Sequence, residues 1–158
     1  MKATAIFSSI ILLLALNAQE SLASEAPLSI HIAASSEKIR SGARLTLIVT
    51  ATNTSDHEIP FEEAGMFCDY KLDVRDDTGN SVPNTPLGQQ FKWPCEGTGM
   101  DIISFLKSGE SREERLSVTD IRDLSRLGVY AIQVSRQIPF DSTGVFVKSN
   151  KITITLIP

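Results

Sequence analysis

The feature that most constrains the fold of this chain is the alternation of apolar and polar side chains at every second position. It is clearest in the segments "ARLTLIVTATN", "CDYKLDVRD", "GVYAIQV" and "NKITITL". A period of two places successive side chains on opposite faces of a β-strand. A strand with one buried and one solvent-exposed face is typical of antiparallel sheets. Further strands near "LSIHIAA", "DIISFL" and "EERLSV" bring the predicted total to about seven to nine. The sequence therefore predicts an all-β, antiparallel fold.

The N-terminal segment, residues 1–23, has the pattern of a cleaved export signal. Lys2 supplies the positive charge, and residues 5–16 form an apolar run that is shorter than the roughly 20 residues of a membrane span. Cleavage is expected after Ala23, with an uncleaved anchor or a buried helix as the alternative. We therefore expect a periplasmic or secreted protein without stable membrane insertion after cleavage, in which residues 24–158 form one domain.

The charge of the chain argues against nucleic-acid binding. Asp and Glu number 19 against 15 Lys and Arg, the net charge is −4, and charges of both signs are interspersed. A nucleic-acid-binding protein carries a basic patch or stripe that meets the phosphates. We expect no nucleic-acid partner.

Two cysteines, Cys68 and Cys95, are predicted to form a disulfide. An even number of cysteines in an exported chain favours a bond over free thiols. The segment between them contains a hairpin turn signal at Gly79, and a chain that turns there and returns along the strand brings Cys95 back towards Cys68. An unpaired or metal-bound pair of cysteines is the alternative.

No catalytic constellation is evident. His31 is out of phase with its apolar neighbours and should face solvent, and His57 lies in the polar turn "SDHEIP". A copper site remains an alternative at one end of the fold, because it could collect the soft ligands Met66, Cys68, Cys95 and Met100 with His57. The chain lacks the closely spaced Cys, His and Met residues of a blue-copper site. We expect no catalytic residue, no cofactor and no metal.

The stretch "DLSRLGVY" predicts a structural corner. Gly128 allows a close approach of the chain and Tyr130 points inward, so its hydroxyl could bond to backbone a few residues upstream. This resembles the tyrosine corner of immunoglobulin-like domains, which implies a β-sandwich of that type. Arg126 and Ile132 stand where such domains often have an acidic residue and a cysteine, so an antibody-type domain is not expected.

A narrower resemblance rests on "LIVTATNTSDHEIPFE", "YKLDVRDDTGNSVP", "LKSGES" and "LGVYAIQVSR". In the order of these strands and turns the chain resembles a one-domain bacterial immunoglobulin-like family that includes the intracellular proteinase inhibitors of subtilisin-like enzymes. The resemblance spans roughly residues 40–157 and rests mostly on residue types that favour turns. It implies the fold, and no inhibitory residue can be carried over from it.

Three long loops are predicted to meet at one end of the sandwich: "TSDHEIPFEEAGMF", "FKWPCEGTGM" and "QIPFDSTG". Aromatic residues on loops held by a rigid scaffold commonly make a binding site. The candidate binding residues are Phe61, Phe91, Trp93, Phe140 and Arg136, the last expected to emerge at the rim and to pair with Glu62 or Glu63. The alternative is that these aromatic side chains only cover the end of the hydrophobic core.

The sequence therefore favours an exported, non-enzymatic module that binds a protein or a small ligand through the loops at one end. Inhibition of a secreted protease is the first alternative function, and metal handling is the second.

Overall fold

The computed structural model describes residues 26–91, 93, 95, 102–138 and 144–158. These residues form ten strands and two four-residue helices, in the order β1 (Leu28–Ala34), β2 (Lys38–Arg40), β3 (Thr46–Asn53), β4 (Ile59–Glu63), α1 (Met66–Asp69), β5 (Lys71–Arg75), β6 (Ile102–Leu106), β7 (Ser111–Ser117), α2 (Val118–Ile121), β8 (Gly128–Ile138), β9 (Val145–Lys148) and β10 (Ile152–Ile157). The predicted export signal lies outside them. Within the described part of the chain, no helix is long and apolar enough to cross a membrane.

Two sheets enclose the core. The first has the order β1-β3-β7, and the second has the order β2-β10-β8-β5, with β9 also paired to β8. All these pairs are antiparallel except that of β2 with β10. Strands β1, β3 and β7 take the places of A, B and E in an immunoglobulin domain, and β10, β8 and β5 take those of G, F and C. The predicted all-β, immunoglobulin-like sandwich is therefore confirmed.

The core follows the period-two alternation read from the sequence. Four residues of the β3 segment have no exposed area, namely Leu45, Leu47, Val49 and Ala51. The second sheet faces them with Leu72, Val74, Ile132, Val134, Ile154 and Leu156, all buried. Apolar burial of this kind is the main favourable contribution to folding. The side chain of His31 faces solvent, as its phase predicts.

Strand β4 lies in a segment that we predicted to be a loop, and the prediction is wrong there. Strands β4 and β6 form an antiparallel ribbon that continues the β3–β7 pair past Asn53. The buried Asn53 amide donates to the carbonyls of His57 at 2.7 Å and Leu106 at 2.9 Å. It thereby satisfies backbone groups where the ladder is interrupted, and buried polar groups need such partners.

The turn at Gly79 forms as predicted, but the strand expected to return from it does not. The Gly79 N–H donates to the Asp76 carbonyl at 3.0 Å, and Gly79 has a φ of +84°, which favours glycine. The segment 81–90 has only isolated bridges instead of a strand. It turns against α2, where a Cβ at Gly88 would overlap the carbonyl of Ile121. Glycine is therefore required at this close approach.

Candidate functional site

The disulfide between Cys68 and Cys95 is present, as predicted, with the two Cα atoms 5.4 Å apart. Cys68 is buried in helix α1, and Cys95 is half-buried. The bond therefore attaches the segment that carries Trp93 to the body of the sandwich.

Helix α1 is a single turn that begins after Gly65. The N–H groups of Cys68 and Asp69 donate to the Gly65 carbonyl at 2.7 Å and 2.9 Å, and the Asp69 carboxylate accepts from the Ala64 N–H at 2.8 Å. Burial raises the pKa of Asp69 above its ordinary value, and the Ala64 N–H and the charge of Arg136 oppose that shift. These bonds fix the backbone that holds Cys68.

Trp93 is held at three points on the outer side of the second sheet. Its Nε1 donates to the Cys68 carbonyl at 3.0 Å. Its ring centroid lies 5.3 Å from that of Phe146, and the Lys71 Nζ lies 5.6 Å from the centroid of the Trp93 ring. The side chain is half-buried. The indole is therefore positioned by the disulfide, by a hydrogen bond and by two side-chain contacts.

A cleft of about 320 Å³ opens between Trp93 and the turn at 85–90. The rings of Phe67 and Phe91 pack against each other with centroids 4.8 Å apart, and Phe91 is 36% exposed. The other lining residues are Tyr70, Lys71, Leu72, Asn84, Gly88, Ile121 and Arg122. Two of the five candidate binding residues, Phe91 and Trp93, therefore share one cleft.

Cationic groups border the cleft. Arg122 donates through Nη2 to the Leu72 carbonyl at 2.6 Å and through Nη1 to the Asn84 side-chain oxygen. Burial lowers the pKa of Arg122, and the nearby charge of Asp73 opposes the shift. The Lys71 side chain is exposed beside Trp93. The lining of the cleft contains no carboxylate among the described residues.

Phe61 and Arg136 are buried. The burial of Phe61 agrees with the alternative that the aromatic residues cover the core, whereas the prediction that Arg136 emerges at the rim is wrong. Phe61 is 2% exposed, because strand alternation in β4 turns it inward, and Arg136 is 3% exposed because it follows the inward phase of β8. The guanidinium carbon lies 4.0 Å from the centroid of the Phe61 ring, and Nη2 donates to the Glu62 backbone carbonyl instead of pairing with a carboxylate. Arg136 therefore bridges β4 and β8 beside an apolar cleft of about 220 Å³.

The groups around Arg136 include two further side chains that titrate, the buried Tyr70 and the half-buried Glu114. Burial raises the pKa of Tyr70 and of Glu114, and the positive charge of Arg136 opposes both shifts. The Arg136 guanidinium carbon is 5.3 Å from the centroid of the Tyr70 ring. This cluster belongs to the interior of the sandwich.

Gly128 and Tyr130 lie at the opposite end of β8 from Arg136. The Tyr130 hydroxyl donates to the Arg126 carbonyl at 2.6 Å, and Gly128 has a φ of +148°. The hydrogen bond of Tyr130 holds the chain that enters β8. The predicted close approach at Gly128 is wrong, because a Cβ there would meet no described atom within 4 Å; the positive φ is what favours glycine at this position. Phe140, the remaining candidate binding residue, lies outside the described residues.

Both histidines are exposed in the part of the chain that the structure describes. The His57 ring bonds to the neighbouring Asp56 at 2.9 Å, and both side chains are exposed. Within the same part of the chain, no three His, Cys, Asp or Glu side chains are grouped so that they could hold a metal ion.

Comparison with known proteins finds solved structures that have low sequence identity to this chain. No family model and no curated protein matches the chain, so the resemblance to proteinase inhibitors stays a prediction. A crystal structure of the CARDB domain of the PF1109 protein from Pyrococcus furiosus, in complex with di-metal ions, is similar over 82% of this chain and 87% of that domain, with 11% identity and a TM-score of 0.45. The alkylpurine DNA glycosylase AlkC of Pseudomonas fluorescens is similar over 84% of this chain and 31% of its own, with 16% identity and a TM-score of 0.44. The chain is thus assigned as an immunoglobulin-like sandwich by its own strand order.

Proposed function

We propose that the protein is an exported, non-catalytic binding module that captures a partner through the aromatic cleft beside the Cys68–Cys95 bond. The observation that carries this proposal is the position of Trp93, which is held by a disulfide-linked segment and still leaves part of its ring accessible. A side chain ordered before binding loses less conformational entropy when a partner arrives.

The surface around the cleft supports a partner larger than the cleft itself. Phe91 lies at its edge, and the Phe146 side chain, which contacts Trp93, is 46% exposed. Phe91 and Phe146 together form an exposed apolar rim beside Trp93. Exposed apolar side chains around a well-formed pocket are typical of protein interaction sites.

Export is part of the proposal because two features favour it together. The N-terminal pattern is that of a cleaved signal, and disulfides persist in oxidising compartments.

The test is affinity capture from the periplasm or culture fluid with the wild type and three variants. Phe91→Ala and Trp93→Ala should each lose a partner that the wild type retains. Phe105→Ala is the matched control, because Phe105 is 59% exposed on β6, away from the cleft. Equal capture by all four proteins, after their folding is checked by circular dichroism, would contradict the proposal. A secreted protease among the specifically captured proteins would identify the inhibitor alternative.

A further inference from the structure

We propose that this cleft selects an acidic peptide segment in which a carboxylate lies next to an aromatic side chain. The inference rests on the proposed function and adds the chemistry of the partner. Its basis is a local excess of positive charge around Trp93 on a protein whose net charge is −4.

Two lysines lie in one row on the outer face of the second sheet, on either side of strand β8. Lys71 of β5 and Lys148 of β9 both pair with Ser135 of β8, so one row across the sheet carries Lys71, Ser135 and Lys148. Both lysine side chains are exposed, and strand spacing puts their backbones about 10 Å apart. Phe146 is two residues from Lys148 on the same face and contacts Trp93. Each of the two aromatic side chains therefore has a lysine near it, Lys71 beside Trp93 and Lys148 on the same strand face as Phe146.

These positively charged side chains form no ion pair within the described part of the protein. Neither lysine forms an ion pair with a described carboxylate, and Arg122 forms none either. The nearest acidic side chain on β5, Asp73, pairs with Arg75 at 3.0 Å. An incoming carboxylate could therefore pair with two ammonium groups that no described carboxylate holds, which favours an anionic partner by charge complementarity.

The apolar part of the site accounts for the aromatic neighbour. The Lys71 ammonium lies beside the Trp93 ring, so a carboxylate on Lys71 places the adjoining side chain over Trp93 and Phe91. The cleft, at about 320 Å³, is at the small end of ligand pockets, while the apolar rim extends beyond it. A peptide segment uses both the cleft and the rim, which favours it over a free small molecule.

Trp93 provides the signal for the test, because it is the only tryptophan in the chain. Its fluorescence should be titrated with the capped peptide AFEEFA and with its neutral counterpart AFQQFA. We expect the acidic peptide to bind about tenfold more tightly at low ionic strength, from two screened charge contacts of about threefold each. The difference should shrink as salt is raised.

Three lysine variants locate the effect. Lys71→Met and Lys148→Met should each weaken binding of the acidic peptide about threefold and leave the neutral peptide unchanged. Lys38→Met is the matched control, because Lys38 is exposed on β2, at the far edge of the same sheet, and it should change neither affinity.

Equal affinity for the two peptides would overturn the acidic-peptide inference and leave the binding module in place. If neither peptide changes the fluorescence while a partner is still captured through Phe91, the acidic-peptide inference is overturned and the proposed binding module stands. Absence of both the response and the Phe91-dependent capture would overturn the proposed function as well.

Discussion

Reduction of the Cys68–Cys95 bond should destabilise the whole sandwich, not only the loop that the bond holds. The two cysteines are 27 residues apart, and this loop contains strand β5, which lies in the second sheet. In the chain-entropy account a closed loop of that length restricts the unfolded chain by about 3.5 kcal/mol at 25 °C.

The measurement is urea unfolding of the oxidised and the reduced protein, followed by circular dichroism for the sheets and by fluorescence for Trp93. With an m-value of roughly 2 kcal/mol per M, the midpoint should fall by about 1.7 M. The double variant Cys68→Ala/Cys95→Ala is the control, since reductant should not move its midpoint. A wild-type shift below about 0.5 M, or a shift seen only by fluorescence, would refute the reasoning that the bond restricts the global unfolded state.

Three further predictions test the structural assignments. Tyr130→Phe should lower the free energy of unfolding by about 0.5–1.5 kcal/mol, because the hydrogen bond to Arg126 is lost while the ring remains; an unchanged urea midpoint would contradict this. Asn53→Ala should cost about 2–3 kcal/mol, since the buried Leu106 carbonyl loses its donor, and a cost below about 0.5 kcal/mol would count against it. Burial raises the pKa of Glu114, so the folded state holds this proton more tightly than the unfolded state; stability from this group should be fully present below its ordinary, unfolded-state pKa of about 4.5 and disappear as pH rises through the folded-state pKa. Glu114→Gln should flatten that dependence in urea midpoints measured across the range, and an identical profile for wild type and variant would disprove the assignment.

The sheets and the disulfide were predictable because their signals are local or compositional. Alternation in single strands identifies the buried face of β3, β5, β8 and β10 without knowledge of their partners. The disulfide follows from two cysteines and an export pattern. Neither inference needs the register between distant strands.

Strand β4 and Arg136 were mispredicted for reasons that the sequence does not display. Pro60 interrupts a segment with only two inward apolar residues, Ile59 and Phe61, so a loop was the natural interpretation. Arg136 is in phase with the buried residues of β8, but its burial depends on a backbone acceptor at Glu62, 74 residues away. Charged side chains are almost never buried without such a partner.

The alignment of Lys71 and Lys148 in one row also could not be predicted from the sequence. It arises because β5 and β9 pair with opposite edges of β8 at the register that aligns both residues with Ser135. Aromatic residues could be selected as candidate binding residues because they lie in predicted loops. The charged residues that surround them come from the sheet, and their proximity depends on how the strands pair.

The bridge between β4 and β8 has a consequence for self-association. The Glu62 carbonyl points towards β8, and residues two apart on a strand present backbone groups to the same edge, so Pro60 faces that edge as well. Pro60 has no N–H to donate, and the Glu62 carbonyl already accepts from Arg136. A strand from another molecule arriving at this edge therefore meets one position that has no donor and one carbonyl that already accepts a hydrogen bond. Open strand edges promote aggregation, and here a proline and a guanidinium remove two of the backbone groups through which another strand could extend the ribbon.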